Sequence, residues 1–149
     1  MSNSSFASRW AWADIDLGAV RNNVTALIAA NPPQQLWAVV KANAYGHGAV
    51  EVANAALQAG AAGLCVALAD EALALRAAGI TAPVLVMSEQ PARQYTAMIE
   101  SDVIATLYNE TSIEQYANAA ATANRTALVH LKIDTGMHRV GVGVDGALN

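Results

Sequence analysis

One cysteine is all the sequence contains, and none of its apolar runs is long enough to cross a bilayer. That cysteine, Cys65, lies inside GLCVAL, where a small buried strand side chain is the commoner use, so an intramolecular disulfide or a cysteine-built zinc cluster is excluded. The longest apolar stretch, AGAAGLCVALA, is broken by glycines, and much of the 54% hydrophobic content is alanine. The start, MSNSSFASRW, lacks a basic region followed by an apolar core, so no secretory signal is expected and the cytoplasm is the default compartment. A formal net charge of −4 without a basic stripe argues against a nucleic-acid partner. Apart from PPQQ nothing reads as a linker, and 149 residues suit one unit with a real core.

What is present is a rhythm. After a strand-like WAWADIDL comes a helical pattern over 18–30, stopped by Asn31-Pro32-Pro33 because the residue before proline avoids helical angles. LWAVVKA then reads as a buried strand. Helix-like AVEVANAALQAG leads to strand-like GLCVAL, ADEALALRAAG to APVLVMS, PARQYTAMIES to VIATLYN, and NETSIEQYANAAATAN to ALVHLKIDTG. Gly60 and Gly79 fall where helix C-terminal caps belong. Five strands alternating with helices predict an α/β protein with a parallel sheet, either open and doubly wound or closed as a barrel. A complete (β/α)8 barrel needs about 250 residues, so length favours the open sheet and a barrel would have to be partial.

Three places in this pattern could carry chemistry. Lys41 ends the buried strand on the face of Trp37 and Val39, and in α/β enzymes strand C-termini build the active site. Partial burial favours the neutral amine that attacks an aldehyde, although position alone more often gives a lysine reaching past the strand end into solvent. Tyr45-Gly46-His47-Gly48 predicts a short loop before the next helix, where small residues let backbone amides approach an anion and a tyrosine hydroxyl can add a bond. Glycines before a helix are also ordinary turn chemistry. The fifth strand alternates His130, Lys132 and Asp134 against Val129, Leu131 and Ile133, a pattern that suits either a solvated edge or a barrel interior. Arg139 follows, with a planar fork suited to a phenolate or carboxylate, while His138 reads as surface. Tyr95, Tyr108 and Tyr116 read as ordinary amphipathic residues.

AVVKANAYGHG and HLKIDTGMHRVG together resemble two signature segments of alanine racemases, and WADIDLGAVRNN and the order of βα units extend the likeness over essentially the whole chain. The resemblance implies a truncated (β/α)8 TIM-type barrel with about its first five βα units, residues 1–149 being the N-terminal portion of a pyridoxal-phosphate domain. It overrides the length argument. Residues 1–17 would then supply a strand that packs with a C-terminal β domain not contained in the chain. Lys41 is similar to the Schiff-base lysine that also serves as one of two bases, and Tyr45 to a phosphate contact. Arg139 corresponds to the arginine at the cofactor's phenolic oxygen that helps to place the substrate carboxylate, and Lys132 to a lysine that many members carry carbamylated. The implied activity is interconversion of L- and D-alanine by two-base proton transfer, supplying D-alanine for peptidoglycan, in a cytoplasmic homodimer.

The family's second base is a tyrosine of the C-terminal domain acting across the dimer interface, so the 149-residue chain alone is expected to be inactive. An open partial barrel would expose strand edges, and Trp10 and Trp12 would lack partners. Two alternatives share the barrel: a racemase with another or broader amino-acid range, and a non-enzymatic pyridoxal-phosphate carrier. A third is an open α/β binding domain without cofactor.

Overall fold

The computed structural model of the protein describes residues 11–147. Helix α1 (Leu17–Ala30) starts where Asp16 accepts hydrogen bonds from Gly18 N at 2.7 Å and Ala19 N at 3.0 Å, satisfying two of the donors a helix start leaves open. The expected N-terminal strand is absent over 11–16, which has no regular secondary structure, and its earlier residues, Trp10 included, lie outside the described region. No neighbouring strand pairs with this segment among the described residues, so its backbone has no ladder to join. Trp12 is 79% exposed and donates only to Asp14, at 3.2 Å.

The remaining order follows the sequence rhythm: β1 (Trp37–Val39), a short helical segment α2 (Lys41–Tyr45), α3 (Ala49–Gln58), β2 (Gly63–Val66), α4 (Ala69–Ala77), β3 (Val84–Val86), α5 (Tyr95–Glu100), β4 (Val103–Leu107), α6 (Glu110–Thr122) and β5 (Val129–Leu131). Gly60 and Gly79 follow α3 and α4 at φ +103° and +85°, the left-handed geometry that ends a helix cheaply only at glycine.

All five strands are parallel and lie in the order β1-β2-β3-β4-β5. A doubly wound sheet reverses its strand order partway; this one never does. The register shows which face the helices cover. Leu64, Val66, Val84, Val86, Val103, Ala105 and Leu107 share one side and form a single cluster with Ala53, Ala72, Leu75, Met98 and Tyr116 of the helices. The opposite side carries Trp37, Val39, Gly63, Cys65, Leu85, Ile104, Thr106 and His130. With the helices on one face and sequential strands, the unit is part of a (β/α)8 barrel, five strands with the helices that connect them, its second face turned inward.

Gly63 is required on that inner face by its neighbour. A Cβ there would lie 2.6 Å from the Trp37 ring, so only a glycine lets the indole lie across β2. A second, smaller cluster packs α1 onto the main body through Val24, Ala56 and Ala61, with Ile28 and Leu36 against them. Among the described residues no helix is long and apolar enough to cross a membrane.

Candidate active site

The C-terminal ends of β1 and β2 set the position of Lys41. Val40 N donates to Cys65 O at 2.9 Å, the last rung between the strands, and the Val40 side chain is buried at 1% exposure in the core. The chain then turns abruptly. Ala42, Asn43, Ala44 and Tyr45 take φ of +50°, +55°, +52° and +57°, so the segment after Lys41 winds left-handed. For residues with a Cβ this conformation costs roughly 1–2 kcal/mol each, with asparagine more tolerant, and it persists only where surrounding contacts impose it. Lys41 itself stays half-buried at the strand end.

Those contacts are largely backbone. Ala44 N donates to Val40 O at 2.9 Å, Gly46 N to Ala42 O at 3.1 Å, His47 N to Ala44 O at 3.1 Å and Gly48 N to Asn43 O at 3.0 Å, while Asn43 Oδ1 accepts from Ala49 N at 2.8 Å at the start of α3. The loop amides expected to face an anion are therefore already committed to holding the turn. The bonds favour the ordinary-turn reading of Gly46-His47-Gly48 over a phosphate cradle, while the Tyr45 phenol, 60% exposed, and the exposed His47 ring remain available.

A carboxylate that pattern reading did not single out lies beside this turn. Glu71, in the first turn of α4, accepts from Ala42 N at 2.6 Å through Oε1, and from Ala67 N at 2.8 Å and Leu68 N at 3.0 Å through Oε2. Burial by itself would raise its pKa, but the N–H groups of Ala42, Leu68 and Ala67 and the nearby Lys41 cation together hold the carboxyl below its ordinary range. The sequence did carry part of the signal, since a glutamate three residues into a helix is the usual partner of its own N-cap amide.

Similar links tie successive loops along the same rim. Gln90, buried after β3, accepts from Ala69 N at 3.0 Å and donates to Ala67 O at 3.2 Å, and Ser88 Oγ donates to Ala67 O at 2.9 Å. Glu89 accepts from Tyr108 N at 2.8 Å, Asn109 N at 3.2 Å and Asn109 Nδ2 at 2.6 Å. Loop one is thus held by loop two, loop two by loop three, and loop four by loop three.

On the far side of the sheet, Lys132 N donates to Leu107 O at 2.9 Å, continuing β5 past its last paired residue, and Val142 N donates back to Lys132 O at 2.9 Å. Asp134 organises the next loop, accepting from Gly136 N and His138 N, each at 3.0 Å, with His138 Nδ1 at 3.1 Å. The amides of Gly136 and His138 hold its carboxyl below the usual range. His130 and Arg139 are exposed, and the side chains of Lys132 and Arg139 make no hydrogen bond or ion pair to another described residue. No hydrogen bond or ion pair joins Lys41, Tyr45, Lys132 and Arg139 to one another among the described residues, and no group of His, Cys, Asp and Glu there could hold a metal. Cys65 is buried and unpaired on the inner face, and burial pushes its thiol up, as the sequence pattern suggested for an inert strand cysteine.

Comparison with known proteins agrees with this geometry. The family described as "Alanine racemase, N-terminal domain" matches residues 15–149. An alanine racemase of Desulfosudis oleivorans is 47% identical over 133 residues, covering 89% of this chain and 34% of the relative. The crystal structure of an alanine racemase from Streptomyces lavendulae superposes with a TM-score of 0.85 at 46% identity, over 88% of this chain and 34% of that one. A histidine racemase from Leuconostoc mesenteroides is also similar, with a TM-score of 0.79 and 32% identity over 85% of this chain and 34% of its own. The chain spans about a third of the length of the relatives it matches.

Proposed function

The chain belongs to the alanine racemase N-terminal domain family, and from that premise we propose that it forms the cofactor-lysine portion of an enzyme interconverting L- and D-alanine. The observation that carries this reading is Lys41, half-buried at the C-terminal end of β1 on the inner-face period of Trp37 and Val39, with a strained left-handed turn immediately after it.

The residues present fit pyridoxal phosphate in their donor chemistry. Lys41 offers an amine to the aldehyde, the exposed Tyr45 phenol a hydrogen bond to the phosphate, and Arg139 a guanidinium to the phenolic oxygen. When bound, the cofactor draws electrons from the substrate's α carbon and so acidifies the α proton. Lys41 takes or returns that proton on one face, and Arg139 helps to orient the substrate carboxylate. Lys132, if carbamylated, would present an anion able to orient Arg139. The base for the other face, the homodimer and the cytoplasmic setting belong to the complete protein in this proposal, and residues 1–149 are the N-terminal portion of its barrel domain.

Solvent-deuterium exchange at the α carbon of alanine, measured on the chain extended downstream, tests the reading. Exchange that disappears in Lys41→Ala is expected. Absence of exchange with retained cofactor would instead indicate a carrier. The likeness to a histidine racemase supports a second reading, activity on another amino acid, which faster exchange with histidine than with alanine would establish.

A further inference from the structure

Glu71 makes three hydrogen bonds, and only two of them serve its own helix. The bonds from Ala67 N and Leu68 N close the entry to α4, as a glutamate in the first turn ordinarily does. The third, from Ala42 N at 2.6 Å, crosses 29 positions of sequence to the residue that follows Lys41 and opens the left-handed turn. No ion pair joins Glu71 to Lys41 among the described residues, and although the Lys41 charge lies near enough to help lower the Glu71 pKa, all three hydrogen bonds of the carboxylate go to backbone amides. The bond lies at the exposed rim, and its charged acceptor makes it stronger than a neutral one; behind the turn is a cavity of about 230 Å³ walled by Val40, Val50, Val66 and Leu75, with Asn43 and Glu71 at its polar edge.

We propose that Glu71 is a positioning residue for Lys41: its carboxylate clamps Ala42 N, imposes the left-handed turn and thereby aims the lysine amine at the cofactor. The inference rests on the assignment of Lys41 as the cofactor lysine. Its role differs from helix capping in reach. An aspartate at position 71 is one methylene shorter, so it can still serve Ala67 and Leu68 beside it but draws back from Ala42. A glutamine keeps the length and one carbonyl oxygen.

The test compares the wild-type chain with Glu71→Asp, Glu71→Gln and Glu71→Ala by two measurements. The first is amide-hydrogen exchange at Ala42 against the amides of β2 and β3. The second adds pyridoxal phosphate, reduces with borohydride and takes the ratio of label on Lys41 to label on Lys132, the only other lysine in the chain. Glu71→Asp and Glu71→Ala are expected to unprotect Ala42 while leaving β2 and β3 protected, and to lower the labelling ratio about tenfold, the scale of one lost charge-assisted hydrogen bond. Glu71→Gln is expected to restore most of the ratio. Wild-type protection and ratio retained in Glu71→Asp would overturn the clamp, and that comparison stands even where Glu71→Ala fails to fold. A wild-type chain that shows no preference for Lys41 refutes the cofactor assignment instead, and exchange at Ala42 then decides the clamp by itself.

Discussion

At the scale of single residues, the tyrosines separate by what surrounds them. Tyr116 is 1% exposed, meets the Tyr95 ring edge-on at 4.9 Å and 74°, and donates to Val103 O at a long 3.4 Å. Burial, with Tyr95 adding to it, pushes its phenol up to about 12. A folded value above the unfolded one means that the associated stability is complete below the unfolded value and is lost as pH rises through the folded one. Between about pH 10 and 12 this single group should therefore steepen alkaline destabilisation by up to about 1.4 kcal/mol per pH unit. Tyr116→Phe is expected to flatten that fall in denaturant titrations run across this range, while costing about 1 kcal/mol or less at neutral pH because the lost bond is long. An alkaline profile unchanged by the substitution would refute the assignment. The sequence read Tyr95, Tyr108 and Tyr116 alike as ordinary amphipathic residues, of which Tyr95 and Tyr116 are buried, and Lys41 as a strand-end lysine. It could not show the left-handed turn, because Ala-Asn-Ala-Tyr contains no glycine to announce positive φ, and the side chain that reaches the turn from afar, Glu71, lies 29 positions along the chain.

At the scale of elements, alternation was legible because each buried strand and each amphipathic helix carries its own period, and the glycine caps after α3 and α4 mark their ends locally. The N-terminal segment shows the complementary case: apolar alternation in WAWADIDL states a preference for a strand, and 11–16 has no strand to pair with among the described residues. The links between loops were equally invisible, since Gln90 reaches back 21 residues to Ala69 and Glu89 forward 19 to Tyr108. These links predict measurable stability. Gln90→Ala strands the buried Ala69 N–H and weakens the hold on Ala67 O, at a cost of about 1–3 kcal/mol, read as a lower denaturant midpoint with an unchanged slope. A midpoint equal to wild type would show that the belt does not hold the rim. At the opposite end of the strands, Arg76 performs a comparable task, donating to the carbonyl oxygens of Ile80, Ala82, Ser101 and Asp102 at 2.7–3.0 Å. The C-terminal rim and the N-terminal end of the sheet are thus held by different side chains.

At the scale of the whole molecule, sequential parallel order decides between the two architectures that periodicity left open, against the open doubly wound sheet that length alone favoured. The same order leaves β5 as an edge, with Val129 and Leu131 each 48% exposed beside an apolar groove of about 380 Å³ lined by Leu107, Ile113, Tyr116, Ala120 and Val129. His130, Lys132 and Arg139 therefore sit at the open side of the sheet, whereas Lys41 sits at the first strand, held by the rim. Of the proposed cofactor residues, Lys41 is the one the described structure itself constrains, and it carries the central claim. The direct test is to add pyridoxal phosphate to this chain, reduce with borohydride and map the modified peptides by mass spectrometry. Label concentrated on Lys41 over Lys132 is the predicted result; label concentrated on Lys132 or spread equally over both lysines would contradict the account.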